Sequence, residues 1–502
     1  MVLKKILEIL RTFDKTELKK FERFIRSDYY NTNTRVHKLF RHLNKFYPLF
    51  NEKKLTEEYL FSQVYPGKKY NKKTLWYLLS ELQHLAEKYL SLSDLEEDEI
   101  EMKKRLVEML IVKKLFSQAL SHLKANDKNF SREFLISGPA INQRYDNSTA
   151  WHQLYFFSGK QDPLLDRRIQ QGEYIVFNSI IEICHTYQNL MTLRSEYNTE
   201  LDDNILFAFL DNIDFESIHR KLKVMENNPS NSKNKLMLTK AFRIYICFMI
   251  SFMDEKDEKY FYEMKEMVSL HNSLFSRDEL QNLHVMLLNL CRIKRNKTDD
   301  LKYLNFQFEI MKSALSLNLY SSSFKGQYMQ IISFEKIFDT AFALKQFSWA
   351  EDFINNYKKE LPPEFSEDVF NHSSAMLNFQ NDQYEKALEF LSKIKSFKYF
   401  HLKTKTKDLT LMVYYELGYI EEALALISSY SNFLSKNKRL AHKLKESELN
   451  FVNFVKEIIR VSESPGKVDC KYLTGKINKS INLNHKDWLS QKVSELYKKK
   501  TK

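Results

Sequence analysis

The sequence predicts an all-α protein, an N-terminal helical bundle followed by an α-α superhelix. Three observations carry this. Glycine and proline number only 8 each in 502 residues, where average usage would give roughly 35 and 25. Glycine supplies the positive-φ turns that hairpins and βα loops need, so helices joined by polar loops are what remain. Apolar residues recur with the helical period almost everywhere and with the strand period almost nowhere. Finally, three alanines near the C-terminal end, Ala350, Ala387 and Ala423, stand 37 and 36 residues apart, the signature of a repeat.

The elements follow in order. Asp14 and Glu17 form a capping box for a helix whose apolar stripe is Leu18, Phe21, Phe24 and Ile25. A second helix holds Val36, Leu39, Phe40 and Leu43, and a short one, TEEYLFSQVY, stops at Pro66-Gly67. Asn71 caps the next, whose stripe of Leu75, Leu78, Leu79, Leu82, Leu85, Ala86, Tyr89 and Leu90 predicts a buried face. Residues 1–92 are thus expected to form one basic bundle, and residues 93–502 a superhelix of helical pairs. Breaks are expected at 124–131, 158–163, 226–235, 294–300, 360–365 and 462–467, with the Asn/Ser/Pro-rich stretch 226–235 the best linker. The acidic run DLEEDEIE (94–101) reads as a solvated helix start, which the helix dipole favours.

Around each of the three alanines the pattern repeats. Three residues before stands a bulky side chain (Phe347, Tyr384, Ile420), four after an aliphatic one (Ile354, Leu391, Ile427), and eight before an aromatic (Phe342, Phe379, Tyr415). A small alanine lets two helices approach while the bulky residues fill the flanks. The Gly418, Ile420, Ala423 and Ile427 spacing resembles the second helix of the tetratricopeptide repeat, a helix–turn–helix unit of about 34 residues. The likeness is clearest over 330–436, with a weaker match at Phe116, Ala119 and Leu123. Lys345 and Asp382 stand where the third copy has Gly418, and the family's first-helix tryptophan is absent. The resemblance implies a protein- or peptide-binding groove lined by Phe342, Met376, Phe379, Met412 and Tyr415. Segments 21–33, 64–82 and 414–440 also resemble a family of long, all-helical, uncharacterised bacterial proteins, which implies the same architecture and no activity.

The net charge of +13 is uneven. Residues 1–90 carry 19 Lys and Arg against 10 Asp and Glu, and the last five residues add +4, leaving the rest near neutral. Lys68, Lys69, Lys72 and Lys73 cluster before Trp76 and Tyr77. Lysines there would meet phosphates, with Tyr77 reaching for base edges, so the alternative function is a DNA-binding transcriptional regulator whose helix-turn-helix lies in residues 1–90 and whose tetratricopeptide-like repeats form a sensor domain. Against it, no arginine lies on that face and no wing follows.

Chemistry is sparse. No GxxxxGK[ST], GxGxxG or HExxH motif occurs. Adjacent Cys184 and His185 point about 100° apart on a helix. His37 and His42 are five apart and share no face. The four cysteines show no metal-type spacing. The expectation is a non-catalytic interaction protein with no cofactor and no metal. The charged N-terminus shows no secretory pattern, and the longest apolar run, IYICFMISFM (244–253), falls short of the ~20 residues of a spanning helix, so a cytoplasmic protein without a membrane span is expected.

Overall fold

The computed structural model describes residues 2–50, 55–132, 134–160, 164–197, 204–229, 231–254, 258–298, 300–321, 328–395, 400–437, 442–463 and 470–501. Among them no β-strand forms, and the only extended pairings are two isolated bridges, Ile136 with Phe275 and Ser321 with Met329. The helices are α1 Val2–Thr12, α2 Lys15–Arg26, α3 Thr34–Asn44, α4 Glu57–Val64, α5 Lys72–Glu97, α6 Glu99–Val112, α7 Phe116–Arg132, α8 Gly138–Ser158 and α9 Leu164–Tyr197. There follow α10 Ile205–Leu210, α11 Phe215–Glu226, α12 Lys233–Met253, α13 Lys259–Leu270, α14 Arg277–Thr298, α15 Leu301–Ser316, α16 Ile331–Ala343 and α17 Phe347–Tyr357. The last are α18 Pro363–Gln380, α19 Tyr384–Ser392, α20 Phe400–Leu417, α21 Ile420–Lys436, α22 His442–Glu463, α23 Cys470–Lys479 and α24 Lys486–Thr501. Among the described residues the protein is all-helical, which fits a helical-repeat class.

The chain divides into two compact units, residues 1–130 with 144–172, and 131–143 with 173–502. The three divisions fall inside α7, α8 and α9.

In the first unit α5 is a hub that packs on α1, α2, α3 and α4. Its predicted stripe is buried from Leu75 to Tyr89, while Leu90 remains exposed. Aromatic rings lock the cluster: Phe21 lies 5.2 Å from Phe40, 5.5 Å from Phe13 and 5.3 Å from Tyr89. The Asp14–Glu17 capping box is present, and Asn71 accepts from the Thr74 amide.

Two sequence expectations change here. α5 runs past residue 92 to Glu97, and Asp98 then caps α6 by accepting from the Ile100 and Glu101 amides, so the acidic run both ends one helix and begins the next. The break expected at 124–131 is helical, inside α7. Its loop-like residues are polar because they bind other helices: Asn126 donates to Asn147, Asn147 to Asp127, and Arg167 to Asp127 at 2.9 Å.

In the second unit α12 is the one described helix long and apolar enough to cross a membrane, yet 61% of its most apolar stretch is buried inside the protein. It packs on α11, α13 and α14, which is how a core helix behaves. From α14 to α24 the principal pairings join helices that are adjacent or next but one in the chain. The expected breaks at 226–235 and 360–365 each overlap an interhelical gap, between α11 and α12 and between α17 and α18, residue 230 being outside the described residues. Residues 161–163 and 464–467 of two other breaks are also outside them, and α14 extends through most of 294–300, residue 299 again excepted.

The three alanines are fully buried, as is Ala119. All four follow the same turn. The preceding helix ends on a left-handed residue: Lys114 (φ 60°), Lys345 (58°), Asp382 (57°) and Gly418 (75°). The residue after it donates back to the helix: Leu115 to Leu110 O, Gln346 to Ala341 O, Gln383 to Asn378 O, Tyr419 to Tyr414 O. This is the Schellman closure. The carbonyl of that same residue then accepts from the alanine amide, opening the next helix. The turn therefore exists with and without glycine; lysine and aspartate tolerate it at a steric cost of about 1–2 kcal/mol.

Candidate binding groove

α16, α18 and α20 are the first helices of three successive hairpins. With the N-terminal turns of α24 they border a groove of about 800 Å³, within the range of ligand sites. Phe342 from α16, Met376 and Phe379 from α18, and Met412 from α20 all line it. Met412 is nonetheless 5% exposed, so most of its side chain is core. Tyr415, the fifth residue named from sequence, does not line the groove. The Trp488 ring packs edge-on against it, 5.5 Å between centroids, and burial beside Glu416 and Glu495 pushes the Tyr415 hydroxyl up to about 12.

Sequence reasoning missed the polar part. Asp339, His372 and Lys405 line the groove, and they stand 33 residues apart, a periodicity that was available in the sequence. Lys405 donates to Asp339 at 2.9 Å and to Glu335 at 3.3 Å. Burial pulls its ammonium down, but the two carboxylates outweigh that and hold its pKa above the lysine value. His372 is buried, its ring bonded to the Lys405 backbone and its Nε2 without a partner among the described residues. Burial, aided by the Lys405 charge, lowers it to about 3, so it is neutral.

The far wall was also missed, because α24 carries no repeat signal. Trp488 Nε1 donates to Glu416 at 2.7 Å. Buried Lys492 bridges Glu416 at 2.8 Å and Glu495 at 3.0 Å. Lys486 donates to the Asn478 carbonyl at 2.9 Å. His485, which also lines the groove, reaches Asp408 at 3.3 Å. Buried Glu448 shares a hydrogen bond with Asp408 and accepts from the Tyr430 hydroxyl at 2.8 Å. Burial and the Asp408 charge raise Glu448 to about 8. Shifted in that direction, the carboxyl keeps its proton to higher pH than an ordinary glutamate and supplies the hydrogen that two carboxyl groups need in order to share a bond.

In the first unit Lys68, Lys69, Lys72, Lys73 and Tyr77 are exposed. None of the four lysines is ion-paired among the described residues. Lys68 lies over the Tyr65 ring and Lys72 over Trp76, at 5.9 and 5.7 Å. On α5 itself Glu81 accepts from Asn33 and Glu87 from Gln83.

Elsewhere, Cys184 is fully buried, its Sγ 3.8 Å from the Tyr245 carbonyl, while His185 contacts Glu279 at 3.1 Å; the neighbours point to different partners. His37 contacts Glu22 at 3.1 Å. The donor atoms of His219, Cys247 and Glu263 lie within 4.8 Å of one another. Arg243 already donates to that Glu263 carboxylate, and burial keeps the Cys247 thiol protonated. A guanidinium on the carboxylate opposes a cation there, so the cluster reads as an ion network.

No family model matches the chain, and no curated protein or solved structure matches it significantly.

Proposed function

We propose that the chain is a non-catalytic cytoplasmic scaffold or adaptor. In this reading its C-terminal hairpins, clearest over 330–436, form a tetratricopeptide-like superhelix, following the N-terminal bundle, that binds a protein or peptide partner. The likeness to long bacterial all-helical proteins accords with this and adds no activity. The observation that carries the reading is the convergence of Phe342, Met376, Phe379 and Met412, from three helices, on one open groove of about 800 Å³. Aromatic and thioether side chains suit an apolar or helical ligand. The test compares affinity capture from the native host by the wild type and by Phe379→Ala. A partner lost while the melting temperature holds supports the groove; a large fall in melting temperature assigns Phe379 to the core instead.

A second reading rests on the four exposed lysines beside Trp76 and Tyr77, which form no ion pair among the described residues: a regulator whose residues 1–90 bind DNA. Fluorescence anisotropy of the full chain against generic duplex tests it. Phosphate contacts would make affinity fall steeply with salt, and absence of binding at low salt removes this reading.

A further inference from the structure

The repeat turn gives a common ruler for comparing three steps of the groove. Counting back from the left-handed residue, positions three and two before it are Phe342 and Ala343, then Phe379 and Gln380, then Tyr415 and Glu416. At the third step the chain supplies its own occupant. Trp488, in the first turn of α24, packs edge-on against Tyr415 at 84° and donates its indole N–H to Glu416. At the second step the equivalent aromatic, Phe379, borders the open groove, and Gln380 is exposed at its edge. Its side-chain amide oxygen is an acceptor, as the Glu416 carboxylate is. At the first step Ala343 offers no acceptor.

The remaining lining favours the same kind of guest. Met376 and Met412 adapt to aromatic faces. Tyr384 packs on Phe379 at 5.4 Å and is held through its hydroxyl to Asp382, which steadies the ring. The three lysines at the groove already have partners, Lys405 with Asp339 and Glu335, Lys492 with Glu416 and Glu495, Lys486 with backbone carbonyls. No ammonium is left waiting for an anionic ligand. A neutral aromatic group with one donor fits better than a carboxylate.

We propose that the second step of the groove seats a tryptophan carried on a helical N-terminus of a partner protein, its ring against Phe379 and its indole N–H on Gln380, repeating what Trp488 does on Tyr415 and Glu416. The inference rests on the adaptor reading and names the chemistry of the partner's anchor.

The test uses full-length protein with ¹³C-methyl methionine, titrated separately with N-acetyl-tryptophanamide and N-acetyl-leucinamide. The Met376 methyl signal, assigned by its loss in Met376→Leu, is expected to move with the tryptophan amide and to respond about fivefold more weakly to the leucine amide. Gln380 is exposed, so changing it spares the fold. Gln380→Glu is expected to tighten the tryptophan amide by about threefold, because a carboxylate accepts more strongly than an amide, and Gln380→Ala to weaken it. Equal response to both amides overturns the inference and leaves the adaptor reading in place. No response to either overturns the inference and removes support for the groove itself. Identical affinities in Gln380→Glu and Gln380→Ala also overturn the proposed seat.

Discussion

The first five helices and the last eleven use the same secondary structure in opposite ways. The former gather on one axis: α5 touches α1, α2, α3 and α4, and their side chains share one cluster. The latter pass contacts along the chain, and their core is divided among successive clusters. A hub concentrates its stability in a few residues of one helix. A relay spreads it over many small interfaces and leaves an open side, which here is the groove. Damage should therefore spread through the hub and stay local in the relay.

The largest effect is expected at the hub. Leu79→Ala, at a fully buried position, should cost about 2–5 kcal/mol, with amide exchange accelerating across α1 to α5 together. Exchange confined to α5 would break the distinction. In the relay, Ala387→Leu forces a larger side chain between packed helices and should cost about 1–3 kcal/mol, with protection lost mainly in α18, α19 and α20. Loss reaching α14 would show the relay to be one cooperative block.

A third experiment sharpens the relay further. The Glu448 carboxyl is raised from 4.5 to about 8 by burial and by Asp408. Between those values the folded protein holds a proton that the unfolded chain releases, so stability falls as pH climbs through that window and levels off above it. Glu448→Gln keeps a donor for Asp408 and removes the titration. Its melting temperature should gain on the wild type by about 5 °C between pH 5 and pH 8; parallel melting curves across that span would place the proton elsewhere. The smallest effect belongs to the hub's exterior. Replacing Lys68, Lys69, Lys72 and Lys73 by Gln should change stability by less than about 0.5 kcal/mol, while abolishing any salt-dependent DNA binding.

Local patterns were legible in the sequence. The α5 stripe, the caps at Asp14 and Asn71, and the buried alanines all follow from spacing and side-chain chemistry within one or two turns. Phe342, Met376, Phe379 and Met412 could be brought together on paper because the repeat register carries across helices. The other half of the groove could not. Trp488 and Lys492 meet Glu416 from more than 70 residues away, with no periodicity to announce it, and that contact is what removed Tyr415 from the lining. Asp408 and Glu448 are ordinary surface-type residues until packing buries them together. Asn126 and Asp127 misled for the same reason: their polarity reads as loop, and only the positions of Asn147 and Arg167 show it to be glue between helices.

The left-handed turns at Lys345 and Asp382 have an engineering consequence. Both residues hold a backbone shape that glycine would adopt freely, at positions exposed to solvent. Asp382 also holds the Tyr384 hydroxyl at the groove, so the latent robustness that a laboratory could release without touching core or groove sits at the Lys345 bend, the gain being the relieved clash less the extra freedom glycine gives the unfolded chain.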